Sequence, residues 1–397
     1  MFVIATERLP IKVWLDSPDE LEQGALEQVK NVANLPFAFK HIALMPDCHA
    51  GYGVPIGCVF ATKNVIIPNA VGVDIGCGMA FARSNMRSTD VPKETLRKIV
   101  DSIMRSIPTG FEHHRSAQPC AALEDVDFIW SESKINKQLE KEIAAGRHQI
   151  GTLGGGNHFI EIQRDETDTV CIMVHSGSRN FGYKIANAYN KLAKELNQKW
   201  HSQVPPQWGL AFLPTDSAEG QDYLAWMQLA LAFAQENRAR MMAVIKEVIA
   251  VYYPNTSYDL EVNAHHNYAA LENHYGEKVW VHRKGAILAR KGVKGIIPGS
   301  MGSPSYIVEG LGESLSFHSS SHGAGRRMGR KEALQRIPAH QTIEDLQKAG
   351  IVLGKRMRKD ISEEARWAYK DIDAVIKQQQ DLIKPIHRLE AMAVVKG

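Results

Sequence analysis

Short apolar runs that stop at glycine, proline or asparagine fill the chain between residues 38 and 79. The runs at 42–45, 57–60 and 65–67 are too short for helices and are typical of strands joined by tight turns. Two further strand-rich blocks follow the same pattern, at 159–174 with a turn at 165–168, and at 260–308. This alternation predicts a fold that is built on β-sheets.

Two stretches instead carry apolar residues at three- and four-residue spacing, which indicates long amphipathic helices. They run from 183 to about 200 and from about 219 to 252, and residues 326–376 are also predicted to be largely helical. We therefore predict an α+β fold of mixed β-sheets with a helical insertion at 183–252 and a helical C-terminal part. The sheets are expected to surround the metal site that the histidine and cysteine motifs described below indicate. Because the sequence has no internal repeat or low-complexity linker, residues 1–397 are predicted to form one domain.

The charge balance restricts the kinds of partner. Lys and Arg total 47 against 44 Asp and Glu, a net charge of +3, which excludes a histone-like polycation but leaves room for a local basic groove. No run approaches the ~18 consecutive apolar residues of a membrane span, and Glu7 and Arg8 interrupt the region where a signal peptide is apolar. The five cysteines are odd in number and lack a Cys-x-x-Cys pair, so we expect a cytoplasmic location and no disulfide framework.

Sixteen histidines prompt a search for metal ligands and acid-base groups. The segment 71–78 places a carboxylate, Asp74, three residues before a thiol, Cys77, and each is flanked by glycine. Glycine permits a turn that would aim both side chains at one point, and a thiolate with a carboxylate can hold a divalent transition metal. On this segment alone, a buried cysteine in a turn is an equally good interpretation.

Histidines stand beside small residues at three further predicted strand edges, as His158, His175 and the pair His265–His266. Neighbouring residues on a strand point to opposite faces, so only one of the pair can easily join a shared site. A lone histidine at such a place is more often structural than a ligand. Three imidazoles, one thiolate and one carboxylate together suit Mn, Fe, Co or Zn better than Mg or Ca, and they suffice for two metals if the thiolate bridges.

His322 lies in a segment rich in serine, histidine and glycine, residues 317–327, that is predicted to lead into a helix. Backbone N–H groups at a helix start attract phosphate, and Arg326 would add a planar fork for phosphate oxygens. His322 could therefore act as a nucleophile toward phosphorus. The alternative is a basic helix start without chemistry.

Seven motifs resemble, in order, those of the RtcB-type RNA ligases, and the likeness extends from about residue 38 to the last residue. The motifs are residues 45–49, 71–78, 154–161, 175–179, 266–267, 298–302 and 321–326. The resemblance implies a manganese- and GTP-dependent ligase that joins an RNA 3′-phosphate or 2′,3′-cyclic phosphate end to a 5′-hydroxyl end. Such an enzyme would act in tRNA splicing or RNA repair.

The resemblance also implies roles for single side chains. One Mn²⁺ would be held by Asp74, Cys77 and His158, and a second by Cys77, His175 and His266. His322 would attack the α-phosphorus of GTP, become covalently guanylylated, and pass GMP to the RNA to give a 3′-end-ppG intermediate. Asp47 and Arg179 match catalytic positions near the RNA ends. The implied nucleotide contacts are Asn157, Glu161, Asn267, Pro298, Gly299, Ser300, Met301, Ser305, Gly323, Ala324, Gly325 and Lys396.

Two positions depart from the family pattern. Asn180 stands where glycine is common, so a left-handed turn there would fall on Asn180, which tolerates it better than most residues. Ser303 and Pro304 replace the more usual threonine and small residue before Ser305, which would alter the shape of the nucleotide loop.

Two other functions remain open at this point. A metal-dependent hydrolase of cyclic phosphates or phosphodiesters would use the same five ligands without needing His322. An RNA-binding or chaperone-like factor would bind RNA without turnover, and would not need the complete ligand set. We expect the protein to bind RNA through the RNA backbone and to act as a monomer. The sequence does not indicate whether an activating partner is required. The candidate groove residues are Arg115, Arg179, Arg326 and Arg327.

Overall fold

The computed structural model describes residues 1–124, 126, 132–354 and 360–397. Its strands are β1 (Phe2–Ile4), β2 (Ile11–Val13), β3 (Ala38–His49), β4 (Ile56–Thr62), β5 (Val65–Ile66), β6 (Gly78–Arg87), β7 (Phe159–Arg164), β8 (Thr169–Ser176), β9 (Leu213–Pro214), β10 (Tyr258–His265), β11 (Asn267–His274), β12 (Glu277–Lys284), β13 (Ala286–Leu288), β14 (Lys294–Ile297), β15 (Ser305–Gly310), β16 (Ser319–Ser321), β17 (Val352–Gly354) and β18 (Ile383–Lys396). Its α-helices are α1 (Gln23–Ala33), α2 (Pro68–Val71), α3 (Lys93–Ser106), α4 (Lys134–Gln149), α5 (Arg179–Lys199), α6 (Ala218–Tyr252), α7 (Arg330–Arg336), α8 (Ala339–Lys348) and α9 (Ile372–Lys377).

Two large sheets organise these elements. One has the strand order β1-β2-β3-β4-β12-β11, and the other has the order β10-β6-β8-β7-β18-β15-β14, with β17 beside β18. The pairs β2–β3 and β17–β18 are parallel and the remaining ladder pairs in both sheets are antiparallel. The predicted α+β class with mixed sheets is therefore confirmed.

The strands that carry the site are covered on both faces. In β8, Ile172 and Val174 pack into one hydrophobic core with residues of α3 and α6, whereas Cys171 and Met173 pack into another core on the opposite face. Alternating side chains of a strand point to opposite faces, so a strand buried on both sides reads as a continuous apolar run. Such packing fixes the strand ends against the rest of the molecule.

The two predicted long helices are present as α5 and α6. Helix α5 begins four residues earlier than predicted, because Phe181 is buried in the first turn, with ring centroids 6.1 Å from Trp226 and 5.5 Å from Phe233. Helix α6 begins after Ser217, whose Oγ accepts a hydrogen bond from the Gly220 N–H group. Division of the chain into one domain with an insertion at 183–252 stays a prediction. No helix in the described ranges is long and apolar enough to cross a membrane.

The C-terminal part holds the short helices α7, α8 and α9, together with 3-10 turns and the strand β17. Residues 355–359 of the predicted helical region lie outside the described residues. The chain then ends in β18, a strand of 14 residues between β7 and β15 that sequence patterning did not predict. Its last residues lie at the same end of the sheet as the start of β7 and the end of β8.

Candidate active site

Five predicted metal ligands converge at one end of the second sheet. Strand pairing brings three of them together, because Met79, two residues after Cys77, and Phe159, directly after His158, both pair with His175. His266 follows β10, whose last residue His265 pairs with Gly78. Asp74 lies in the glycine-flanked turn between α2 and β6.

The donor atoms of this cluster are close. The Cys77 Sγ atom lies 3.3 Å from Nε2 of His175 and 3.6 Å from Nε2 of His158. The same His158 nitrogen is 3.3 Å from Oδ2 of Asp74. The ring of His266 is 5.2 Å from that of His175, centroid to centroid, so His266 rather than His265 faces the cluster.

The protonation states of these side chains fit a transition metal. Nδ1 of His175 donates a hydrogen bond to the Asn157 carbonyl oxygen over 3.1 Å, which leaves a lone pair on Nε2 facing Cys77. Burial, reinforced by neighbouring imidazoles, lowers the pKa of His175 and of His266 well below the usual value, and neutral imidazole is the form that binds metal. Burial and the Asp74 carboxylate raise the pKa of the Cys77 thiol, so its thiolate requires a cation.

Buried nitrogen atoms without a partner bear on whether a cation fits here. Among the described residues, Nδ1 of His158 and Nδ1 of His266 are buried without a hydrogen-bond partner. Unpaired buried polar atoms cost free energy, and a cation bound at Nδ1 of His266 would offset that cost, whereas His158 faces Cys77 and Asp74 with its other ring nitrogen, Nε2. A donor set of sulfur, nitrogen and oxygen atoms is suited to a transition metal.

His322 follows β16 at the rim of this cluster, with its ring centroid 4.8 Å from that of His266. Its Nδ1 atom donates a 2.7 Å hydrogen bond to Oδ2 of Asp47, and its backbone N–H group donates to the same oxygen over 3.1 Å. Asp47 is fully buried. This arrangement fixes the Nδ1–H tautomer and leaves Nε2 with a lone pair. The helix predicted from residue 326 begins at Arg330, eight residues after His322, so the prediction that this histidine lies at a helix start is wrong.

A cavity of about 340 Å³ opens beside the cluster. Asp74, Cys77, His175, His266 and His322 line it, together with all the predicted nucleotide contacts except Ser305. Ser305 Oγ instead accepts a hydrogen bond from the Gly299 N–H group over 3.1 Å and so holds the loop at 298–302. The cavity is of the size usual for small-ligand sites.

Glu161 and Lys396 place a carboxyl group and an amino group in this cavity. Burial raises the pKa of Glu161 to about 7, and Nε2 of Gln163 donates to its Oε2 over 2.6 Å. Near neutral pH such a carboxyl group can exist in either form, as an acceptor or as a donor. Nζ of Lys396, at the end of β18, lies 3.5 Å from Oε2 of Glu364.

The two arginines predicted to contact substrate phosphates, Arg179 and Arg326, already donate hydrogen bonds to other groups of the protein. Arg179 donates from Nε to Oγ1 of Thr152 and from Nη2 to the Gly110 carbonyl oxygen. Its own backbone φ is +58°, so the left-handed turn falls on Arg179 and not on Asn180 as predicted. Arg326 donates to the carbonyl oxygens of Met328 and Glu363 rather than presenting an open fork.

Sequence reasoning missed Lys370, which braces the Asp47 segment. Its Nζ atom donates to the carbonyl oxygens of Pro46 and Cys48, over 2.9 and 2.8 Å. Lys370 is more than 300 residues away from Pro46 in the sequence, so no local sequence pattern could predict this contact.

A second group of possible ligands, Glu272, His274 and His318, lies elsewhere in the described structure. The Glu272 carboxylate is already bound by two guanidinium groups, at 2.5 Å from Arg283 and 3.2 Å from Arg290. Two adjacent positive charges oppose a cation, so this group is better described as an ion-pair network.

Comparison with known proteins bears on the identity of this site. Residues 28–397 match the family model described as tRNA-splicing ligase RtcB. The chain is 40% identical to RNA-splicing ligase RtcB of Escherichia coli (strain K12) over 414 aligned residues, which cover 100% of this chain and 99% of that protein. It is 33% identical to tRNA-splicing ligase RtcB of Pyrobaculum aerophilum, with 98% of this chain and 95% of that protein covered. For RNA-splicing ligase RtcB of Mycobacterium tuberculosis the identity is 31%, with 93% of this chain and 100% of that protein covered. The resemblance inferred from the seven motifs is confirmed, and the chain belongs to the RtcB family.

Proposed function

We propose that this protein is a GTP- and manganese-dependent RNA ligase that acts in tRNA splicing or RNA repair. It joins RNA 3′-phosphate or 2′,3′-cyclic phosphate ends to 5′-hydroxyl ends. The observation that carries the proposal is the Asp47–His322 pair at the rim of the donor cluster. A histidine held in one tautomer beside a metal site and a ligand-sized cavity is suited to nucleophilic attack on a nucleotide phosphorus.

Two manganese ions would be held by this chain's own side chains. Asp74, Cys77 and His158 would bind one ion, and Cys77, His175 and His266 would bind the other. Bound cations would neutralise the phosphate charges of GTP and RNA. Glu161 would face the guanine edge, and Lys396 together with the loop at 298–302 would hold the rest of the nucleotide.

Nε2 of His322 would attack the α-phosphorus of GTP and form a nitrogen–phosphorus bond as the bond to the pyrophosphate oxygen breaks. The Nδ1 proton stays on the imidazole, where the Asp47 carboxylate stabilises the positive charge that develops on the ring. A 2′,3′-cyclic phosphate would first be opened by water to a 3′-phosphate. An RNA 3′-phosphate oxygen then attacks the phosphorus of the bound GMP, and the nitrogen–phosphorus bond to His322 breaks to give the 3′-end-ppG form. The 5′-hydroxyl finally displaces GMP and loses its proton as the new phosphodiester forms.

Of the candidate groove residues, Arg115 and Arg327 are exposed and would be available to RNA. Contacts of this kind go to phosphates, so binding should weaken as salt concentration rises. One chain supplies all the groups named in the reaction, and a monomer is sufficient for it.

A metal-dependent hydrolase is the main alternative, since the same ligands could activate water. Hydrolysis by metal-activated water alone would not require the buried carboxylate that holds His322 by two hydrogen bonds, whereas nucleophilic attack by His322 does. This pair therefore favours the ligase.

Incubation with α-³²P-labelled GTP and Mn²⁺, followed by denaturing electrophoresis, tests the proposal. We expect an acid-labile labelled band for the wild type that is lost in His322→Ala, while Mn²⁺ binding persists. His340→Ala, which changes an exposed histidine on α8, is the matched control and should label normally. Labelling of His322→Ala would overturn the role of His322. An unlabelled wild type that opens cyclic phosphates would instead support the hydrolase.

A further inference from the structure

Helix α6 inserts two adjacent polar side chains, Asn237 and Arg238, beneath the donor cluster. Both are fully buried, at 0% exposure. The proposed reaction uses neither of them. A buried guanidinium is costly unless its donors are satisfied, so the partners of this pair indicate what it does.

Asn237 uses its side-chain amide to join two segments. Its Oδ1 accepts hydrogen bonds from the backbone N–H groups of Gly151 and Thr152, over 2.7 and 3.1 Å. Its Nδ2 donates to the Ser176 Oγ and to the Gly177 carbonyl oxygen, both over 3.1 Å. The first segment leads into the loop that carries His158, and the second directly follows His175.

Arg238 reaches three strand ends. Its Nη1 donates to the carbonyl oxygens of Gly76 and Ser176, over 2.8 and 3.0 Å. Its Nε donates to Oδ1 of Asn263 over 2.8 Å, and its Nη2 lies 3.1 Å from Nδ1 of His265.

The position of these contacts along the chain is informative. Gly76 directly precedes Cys77, Ser176 directly follows His175, and His265 directly precedes His266. Three of the four contacts of Arg238 therefore lie one residue away from a proposed metal ligand, and the fourth, to Asn263, lies three residues before His266. A planar guanidinium with a fixed geometry of donors sets the relative positions of its acceptors, which a flexible lysine does not.

Arg238 keeps its positive charge although its side chain is fully buried. Burial lowers its pKa to about 10, while Cys77 and Asp74 act in the opposite direction. The guanidinium is thus protonated at neutral pH, and its donors are directed at acceptors of the ligand-bearing segments.

We propose that Asn237 and Arg238 are positioning residues that fix the segments carrying Cys77, His158, His175 and His266, and so set the metal affinity of the site. The inference rests on the proposed function only in taking these four side chains as metal ligands. It assigns to the long helix a task beyond packing against the sheet. Groups that orient metal ligands typically affect affinity ~10–100-fold when they are removed.

Arg238→Met tests the proposal, because methionine fills much of the space but donates no hydrogen bond. Arg240→Met is the matched control: it removes the same group from the same helix, and Arg240 bonds to Glu236 of α6 itself. Mn²⁺ affinity is measured by titration calorimetry, and cobalt-substituted protein is examined for the thiolate-to-Co²⁺ absorption band. We expect Arg238→Met to bind Mn²⁺ ~10–100-fold more weakly and to have a shifted or weaker cobalt band, with unchanged circular dichroism. Arg240→Met should match the wild type.

The outcomes separate this inference from the proposed function. A wild type that binds neither Mn²⁺ nor Co²⁺ would contradict the metal site itself. A wild type that binds both, with equal affinity and cobalt spectrum in Arg238→Met, would overturn the positioning role. Should Arg238→Met fail to fold, Arg238→Lys decides by the same measurements, because it keeps the charge but not the planar fork. Wild-type affinity and spectrum in that variant would also overturn the role.

Discussion

At the residue scale, the proposed chemistry depends on which nitrogen atom of His322 is free. Asp47 receives both the Nδ1–H and the backbone N–H of His322 on one oxygen. Loss of the negative charge would remove the stabilisation of the imidazole ring as it becomes positive during attack. The side-chain carbonyl of an asparagine could still accept a hydrogen bond, so the fold should tolerate the change.

We therefore expect Asp47→Asn to slow guanylylation roughly 10²–10⁴-fold while Mn²⁺ affinity stays at the wild-type value. Single-turnover labelling with GTP measures the first quantity and titration calorimetry the second. Unchanged labelling would show that His322 does not need the carboxylate. A parallel loss of Mn²⁺ affinity would indicate instead that the variant has disturbed the donor cluster.

The thiol of Cys77 and the carboxylate of Asp74 differ in how many other donors they approach. Cys77 Sγ lies within 3.6 Å of both His158 and His175, whereas Asp74 Oδ2 approaches His158. Cys77→Ser should therefore reduce binding of both ions, and Asp74→Asn should reduce mainly one. Metal content after equilibration with Mn²⁺, measured by mass spectrometry, distinguishes the two. Equal losses in both variants would argue against a bridging thiolate.

Sequence spacing could place these residues in turns but could not predict which of them lie close together in the folded protein. Asp74 and Cys77 are three residues apart, and their glycine neighbours indicate a shared turn. Asp47 and His322 are separated by 275 residues, so their hydrogen bond depends on how remote strands are arranged. The resemblance to a family identified both residues, but it did not predict that they touch.

At the scale of elements, the segment after β16 is held against the end of β3 by close backbone packing. Gly325 has a φ of +74°, and a Cβ atom built there would lie 2.1 Å from the Asp47 carbonyl oxygen. Gly325→Ala therefore combines backbone strain with a clash against main chain that cannot rotate away. The two segments must separate, which breaks the contact between Asp47 and His322.

We expect Gly325→Ala to lower the free energy of unfolding by ~1–3 kcal/mol and to abolish detectable guanylylation, with Mn²⁺ still bound. Gly329→Ala is the matched control, because its Cβ would have no heavy atom within 4 Å. Urea unfolding and GTP labelling of both variants provide the comparison. Normal labelling in Gly325→Ala would show that the packing of these two segments does not position His322.

Elements with strong local signals were predicted best. Helix α6 has a long apolar periodicity and a serine cap, and its predicted start differs from the observed one by a single residue. Strand β18 was missed because Lys384, Arg388 and Glu390 interrupt its apolar pattern, and its pairing with β7 and β15 is not encoded locally. Strands that are stabilised by remote neighbours give weak signals in their own sequence.

At the scale of the whole molecule, the site is assembled from distant parts of the chain. Asp47 comes from β3, and Lys396 comes from the last strand. The donor cluster comes from the segments just before β6 and β7, from the end of β8 and from the residue between β10 and β11. The order β10-β6-β8-β7-β18 mixes early and late strands. Composition and periodicity predicted the α+β class, whereas this order depends on many long-range pairings that one sequence does not reveal.

Buried histidines away from the site make the stability of the whole fold depend on pH. His282 is fully buried, stacks on Phe60, donates from Nδ1 to the Trp280 carbonyl oxygen and accepts from the Ile67 N–H group. Burial lowers its pKa from 6.5 to about 3. His41 is similarly neutral, with a pKa lowered to about 4 by burial. As pH falls below about 6.5, the unfolded chain binds protons that these folded imidazoles do not.

The free energy of unfolding should therefore be largest above pH 6.5 and should fall by about 1.4 kcal/mol per pH unit for each such histidine between about pH 6 and pH 4. His282→Gln should be less stable than the wild type at pH 7.5, but its stability should fall about 1.4 kcal/mol less per pH unit. Urea unfolding from pH 7.5 to 4 measures both slopes, with a chelator present so that proton release on metal binding does not contribute. His340→Gln, on the exposed side of α8, should keep the wild-type slope. If His282→Gln has that slope as well, His282 must already be protonated in the folded protein, and the acid sensitivity of the fold would have to come from other groups.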